Sequence, residues 1–354
     1  MVLALFATLA ALVALAAGRS PESAATLPVP AVRSFEKGMV FGLFAREEAE
    51  HTETGLAEIA ALGAESISIM IPWVTPDVRS MEMAPRSDMT PSDASLVRAI
   101  RKAHARGMTV LIMPFLYVDK MAPGEWRGTI QPADWSRWFD RYAAFILHYG
   151  RIAGAEKVEY FSVGSELCST EARRDDWVGL IDRLRQVYGG RVTYSANWDH
   201  RGSIAFADRL DLLGMNAYFK LSEAKRPSEE DLVASWSRIA AEVEAWRAAT
   251  GKRLMITEVG YPSREGASFD PWDYDAAGAP APDEQLKCYR AFRKAWGGST
   301  HLQGVYFYQW WGQGGLDDTG YTPRGKPAEQ VIRDWFIGSS PRAVGAASGA
   351  RSKQ

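Results

Sequence analysis

Two glutamates stand where glutamates are costly. Glu166 closes the apolar run 158–166 (VEYFSVGSE), and Glu258 sits near the end of the run 254–261 (LMITEVGY). A carboxylate within such a stretch gives up hydration that glutamates on helix surfaces keep. Two of them at matching places can work on one bond: one carboxyl holds a proton for a leaving oxygen while the other attacks as a carboxylate. Glu65 and Glu159 fall at the starts of their runs and read as structural. The chain has two asparagines, Asn197 and Asn216, and both lie at run ends. Their amides offer fixed donors and acceptors to a polyhydroxylated ligand. Trp73, Trp198, Tyr218, Tyr261, Trp310 and Trp311 end runs as well. A sugar ring has an apolar C–H face with hydroxyls at its edge, which suits aromatic platforms with polar neighbours. Two carboxylates facing a sugar point to glycoside hydrolysis.

The elements that must position these residues follow a rhythm. Apolar runs at 39–45, 66–73, 109–116, 158–166, 192–198, 212–218, 254–261 and 305–311 alternate with longer amphipathic stretches. Their β-branched and aromatic content predicts strands buried on both faces. Between them, 92–106 places Leu96, Val97, Ile100 and Ala103 on one helical face, with Ser92 as N-cap and Gly107 at the C-terminus. Eight buried strands, most followed by a helix, predict a single (β/α)8 TIM barrel over 35–337, with only a brief helix at 202–209. A doubly wound sheet would carry a GxGxxG or P-loop turn after an early strand, and neither occurs. Barrel active sites form at the C-terminal ends of strands, where these residues lie.

Composition narrows the partners. A net charge of −2 gives no electrostatic case for nucleic acid. Two cysteines and five histidines form no metal motif, and no cofactor motif appears, so no metal or cofactor is expected. The run 2–17 is apolar and shorter than the roughly 20 residues of a spanning helix. Ala14 and Ala16 supply an A-x-A cleavage pattern, yet no Lys or Arg precedes the run. Residues 1–19 therefore read as a signal peptide or an N-terminal anchor, 20–34 as a Pro/Ala/Ser linker and 338–354 as a disordered tail. The expectation is a monomer, secreted or placed in the periplasm or cell envelope, that acts on a polysaccharide or oligosaccharide.

FSVGSEL (161–167) and ITEVGYPS (256–263) resemble the acid/base and nucleophile segments of the large retaining-glycosidase clan with barrel folds. Together with SISIMIPW (66–73) and YFYQWW (306–311), the chain most resembles glycoside hydrolase family 113, known chiefly for endo-β-1,4-mannanases. The resemblance implies Glu166 as acid/base and Glu258 as nucleophile. It also implies that Tyr218 hydrogen-bonds the nucleophile and that Trp310 or Trp311 forms the floor beneath the attacked sugar. Much of the clan has Asn before the acid/base glutamate, touching the sugar 2-hydroxyl; here the residue is Ser165. By environment, Glu166 is expected to hold the proton and Glu258 the charge. The alternatives are the same mechanism on glucan, xylan or an envelope polysaccharide, and a non-catalytic glycan-binding barrel. In the stretch 269–275 (FDPWDYD), Trp272 and Tyr274 are either solvated loop or glycan contacts. A calcium site there lacks EF-hand spacing. Cys168 reads as packing and His200 as a rim residue.

Overall fold

Runs rich in Val, Ile and aromatic residues favour extended backbone that is buried on both faces. In the computed structural model, which describes residues 31–43, 49–224 and 226–338, eight of them form strands. These are β1 (Glu36–Phe41), β2 (Ser66–Thr75), β3 (Thr109–Val118), β4 (Tyr160–Ser165), β5 (Arg191–Asn197), β6 (Leu213–Asn216), β7 (Leu254–Val259) and β8 (Leu302–Trp310). All pair in parallel in chain order, and β8 closes on β1. Among the described residues seven helices surround them: α1 (Ala49–Ala61), α2 (Asp93–Ala105), α3 (Trp135–Ala155), α4 (Arg174–Arg185), α5 (Glu229–Thr250), α6 (Pro282–Trp296) and α7 (Pro327–Gly338). This is the expected (β/α)8 barrel. The fifth crossover holds only two 3₁₀ turns, Arg201–Ser203 and Ala207–Arg209. The signal-or-anchor segment, most of the linker and the tail beyond Gly338 lie outside the described residues. No described helix is long and apolar enough to cross a membrane.

Local chemistry sets the helix ends. Ser92 Oγ accepts the Ser95 N–H at 3.2 Å and so satisfies one of the donors that the first turn of α2 leaves open. At the end of α5, Gly251 takes φ 69°, a left-handed conformation that costs glycine nothing. The buried face of α2 is Leu96, Ala99, Ile100 and Ala103, so Ala99 replaces the expected Val97, which sits at the edge.

The barrel has two apolar layers: a continuous core between strands and helices, and a smaller one inside. The inner one gathers Val40, Leu111, Tyr160, Leu212, Met255 and Tyr306. Tyr306 fills the space beside Gly38, where an added Cβ would come within 2.3 Å of its ring. At the N-terminal end, Glu36 is fully buried and accepts from Tyr160 Oη at 2.8 Å, Thr109 Oγ1 at 2.5 Å and the Arg33 N–H at 3.2 Å. Paired polar groups thus close the bottom, and the strand tops are left for chemistry.

Candidate active site

Glu166 follows the last residue of β4 in a left-handed conformation, φ 56°. For a residue with a side chain this backbone costs about 1–3 kcal/mol, so its surroundings must hold it. The Glu166 N–H donates to Ser195 O at 2.9 Å, and the Leu167 N–H donates to Tyr194 Oη at 2.8 Å. Tyr194 donates on to Glu171 Oε1 at 2.8 Å, and the other oxygen of Glu171 meets His200 Nδ1 at 2.6 Å. Burial raises the Glu171 carboxyl above its ordinary value, and the bonds from His200 and Tyr194 oppose that rise. A strained turn is thereby braced from β5 and from the loop behind it.

The two carboxylates have unlike partners. Glu166 Oε1 accepts from Asn216 Nδ2 at 2.9 Å, and its Oε2 accepts from Arg127 Nη1 at 3.0 Å. The same Asn216 amide reaches Ser165 Oγ at 3.1 Å, while Asn216 Oδ1 accepts from Thr257 Oγ1 at 2.9 Å. Glu258 Oε2 accepts from Tyr218 Oη at 2.7 Å, whereas its Oε1 is buried with no hydrogen-bond partner. Burial, and next the negative charge of Glu166, push the Glu258 carboxyl up to about 8. The bond from Tyr218, the charge of Arg127 and the neighbouring Asn216 amide pull the other way and lose. The pair as a unit therefore holds a proton up to about pH 8. Tyr218 is packed edge-on against Tyr308 and Tyr321, with ring centroids 6.1 Å away in both cases.

With this geometry in place, the similarity to known proteins is specific. The family model described as Glycoside Hydrolase Family 113 matches residues 34–322. The chain belongs to that family. It is a glycoside hydrolase. A solved GH113 β-1,4-mannanase is 25% identical, with a TM-score of 0.77 over 86% of this chain and 99% of the other. The GH113 β-mannanase AaManA from Alicyclobacillus acidocaldarius, solved in complex with ManMIm, is 26% identical, with a TM-score of 0.77 over 86% and 97%. A β-glucuronidase from an uncultured Clostridium sp. is 14% identical, with a TM-score of 0.58 over 86% and 50%, a likeness of fold alone. No curated protein matches.

In this family 113 barrel, Ser165, Asn216 and Tyr218 gather around the glutamate pair as expected, but all three are bonded to one another or to the pair. The Asn216 amide is engaged by Glu166, Ser165 and Thr257. Asn197 Nδ2 donates to Asp199 at 2.7 Å, and Trp198 stacks on Trp272 at 5.3 Å, so both belong to the rim. Four expected contacts lie elsewhere. Trp73 stacks on Phe145 at 4.5 Å and donates to Tyr149, outside the barrel against α3. Tyr261 is fully buried and accepts from Trp236 of α5 at 2.8 Å. Trp310 donates to Glu58 of α1 at 2.9 Å, and Trp311 meets His51 of α1 edge-on at 5.6 Å. The cause in β8 is a bulge: Met39 and Phe41 pair with Phe307 and Trp310, so one extra residue turns Trp310 to the outer face. The β8 ring beside Tyr218 is Tyr308 instead.

Arg127, Tyr308 and Tyr321 are site residues that the sequence reading missed. The 269–275 loop is held by its own acids: Arg264 Nη2 bonds Asp270 Oδ1 at 2.8 Å, and Asp273 Oδ1 accepts the Asp275 and Ala276 N–H groups. Tyr321 Oη donates to Pro271 O at 2.6 Å and ties that loop to the aromatic cluster. Cys168, Glu171 and His200, dispersed in sequence, also come together, their ligand atoms within 4.8 Å of one another. There the Glu171 carboxylate already serves Tyr194 and His200 as the brace of the Glu166 turn.

Proposed function

We propose that the protein is a retaining endo-β-1,4-mannanase that works by double displacement. The observation that carries this reading is the unequal environment of the two carboxylates, above all the buried Glu258 Oε1 with no hydrogen-bond partner. Tyr218 holds Oε2 and leaves Oε1 as the attacking atom. In the first step Glu258 Oε1 bonds the anomeric carbon, the glycosidic C–O bond breaks, and Glu166 gives its proton to the leaving oxygen. In the second, Glu166 takes a proton from water, whose oxygen bonds the anomeric carbon as the bond to Glu258 breaks. The product keeps the starting configuration. Mannan as substrate follows from the two family 113 mannanases that the chain resembles. The apolar segment 2–17 supports action outside the cytoplasm, after secretion or within the cell envelope.

The test is kinetic and stereochemical. Glu258→Ala should lose turnover of β-mannan and of aryl β-mannosides, and azide should restore the aryl reaction with an inverted product. Near-normal hydrolysis by Glu258→Ala, or an inverted product from the unaltered enzyme, would sink the assignment. A parallel screen on glucan and xylan decides the sugar.

A further inference from the structure

Behind the Glu166 turn, three side chains of different chemistry meet. Cys168 opens the short turn Cys168–Thr170 after β4, Glu171 follows that turn, and His200 lies in the loop after β5. Their ligand atoms, a sulfur, an oxygen and a nitrogen, lie within 4.8 Å of one another. The brace of the Glu166 turn accounts for part of this group: Glu171 Oε1 accepts from Tyr194, and Oε2 meets His200 Nδ1 at 2.6 Å. It makes no use of the Cys168 thiol, which is half-buried beside them.

A thiolate, an imidazole and a carboxylate are the ligand types that zinc accepts together, often three from the protein with a water in the fourth place. Calcium and magnesium favour oxygen throughout. The local charge agrees. Burial, and next the negative charges of Glu171, Glu166 and Asp199, push the Cys168 thiol up. The field that disfavours a thiolate also attracts a dication, and a bound dication displaces the thiol proton to water. Zinc bonds of about 2.0–2.3 Å put neighbouring ligand atoms about 3.5 Å apart, so Cys168 must draw in and the His200–Glu171 contact must open, each by about 1 Å. His200 has that freedom, with its side chain 42% exposed, and its open side leaves room for the water. Glu171 is fully buried and fixed by Tyr194, the kind of outer hydrogen bond that orients a ligating carboxylate.

We infer that Cys168 Sγ, Glu171 Oε2 and His200 Nδ1 form a zinc site, with water as the fourth ligand, that clasps the loop after β4 to the loop after β5 behind Glu166. His200 then carries its proton on Nε2, which leaves the Nδ1 lone pair for the metal. Glu171 Oε1 keeps its bond from Tyr194, and the ion replaces the direct bond between Glu171 and His200. The ion takes no part in the reaction and is independent of which glycan is cleaved. It makes the strained Glu166 turn firmer and adds stability to the folded chain.

Cobalt(II) is the probe, because a thiolate bound to it gives a charge-transfer band in the near ultraviolet. The whole chain, treated with chelator, should develop that band with one equivalent of cobalt, and zinc should bleach it by displacement. Free zinc at about a hundredfold excess over its Kd should raise the thermal midpoint by about 5 °C. Cys168→Ser should remove the band. His200→Gln should weaken cobalt binding by about a hundredfold, the upper end of what losing a mere outer hydrogen bond costs. Cys288→Ser should change neither, because that second cysteine is fully buried elsewhere, on α6. Melting each variant without metal separates a lost site from a lost fold, and His200→Gln decides the matter if Cys168→Ser does not fold. No band in the unaltered protein with cobalt at about 1 mM overturns the inference. So does a band that persists in Cys168→Ser, or an affinity unchanged in His200→Gln.

Discussion

The two ends of the barrel each bury a carboxylate, and they treat it in opposite ways. At the bottom, Glu36 takes donors from Tyr160, Thr109 and the Arg33 backbone, so both of its oxygens are occupied. At the top, Glu258 has one oxygen held by Tyr218 and the other empty of partners. Burial raises both carboxyls above their ordinary range, but at Glu36 every other contribution opposes the rise, whereas at Glu258 the neighbouring Glu166 adds to it. A carboxylate that holds a fold together has its lone pairs filled; one that reacts keeps a lone pair open at a cost in stability. Burial alone does not separate the two.

Substituting each carboxylate breaks the comparison in opposite directions. Glu36→Ala should leave three donors at the barrel bottom without an acceptor and cost about 3 kcal/mol of stability, while the kcat of the folded fraction stays as it was. Glu258→Gln should do the reverse, abolishing turnover and raising the midpoint of thermal unfolding. Calorimetry and steady-state kinetics on both variants check this. A stability loss in Glu258→Gln as large as that in Glu36→Ala would mean that the top is built like the bottom.

The pH dependence sharpens the same contrast. The Glu258 carboxyl is held at about 8 in the folded protein, above the carboxylate value of an unfolded chain. The native state therefore binds the extra proton, and stability falls as pH rises from the ordinary carboxylate range to about 8. Denaturant titrations across that window should show a loss on the order of a few kcal/mol in the unaltered enzyme and a flatter curve in Glu258→Gln. Activity has a matching limb. The pair works with one proton, which leaves at about pH 8, so kcat/KM should decline above that pH. Stability that rises between pH 5 and 8, or kcat/KM unchanged to pH 9, would contradict a proton shared by the pair up to about pH 8.

Sequence made the tops of β4 and β7 legible because a charged residue is conspicuous in an apolar strand. The (β/α)8 order was readable for the same reason, since buried parallel strands are long apolar runs. Which face a ring takes was not readable. In a strand buried on both sides there is no polar alternation to mark inside from outside, so Trp73 and Tyr261 looked like site residues and pack against α3 and α5. The bulge in β8 exchanged Trp310 for Tyr308, and a single-residue insertion leaves no compositional trace. Arg127 was hidden because it lies on a loop nearly forty residues from Glu166, in a stretch with no periodic signal.

The smallest expected effect lies farthest from the pair. Trp272 is 43% exposed and stacks on Trp198 at the rim, with ring planes 22° apart. Its loop is anchored by Arg264 on Asp270 and by Tyr321 on Pro271, and Tyr321 touches Tyr218, the partner of Glu258. The platform is thus fixed to the catalytic centre without being part of it. A sugar stacked on such a ring several units from the scissile bond gains about 1 kcal/mol. Trp272→Ala should then leave kcat/KM for a mannosyl trisaccharide almost unchanged and lower it about fivefold for a hexasaccharide. Arg264→Ala, which loosens the loop while keeping the ring, should show the same length dependence in weaker form. Losses equal at every length would instead place Trp272 within the packing that supports Tyr218, and the rim would then be an extension of the core rather than a surface for the glycan.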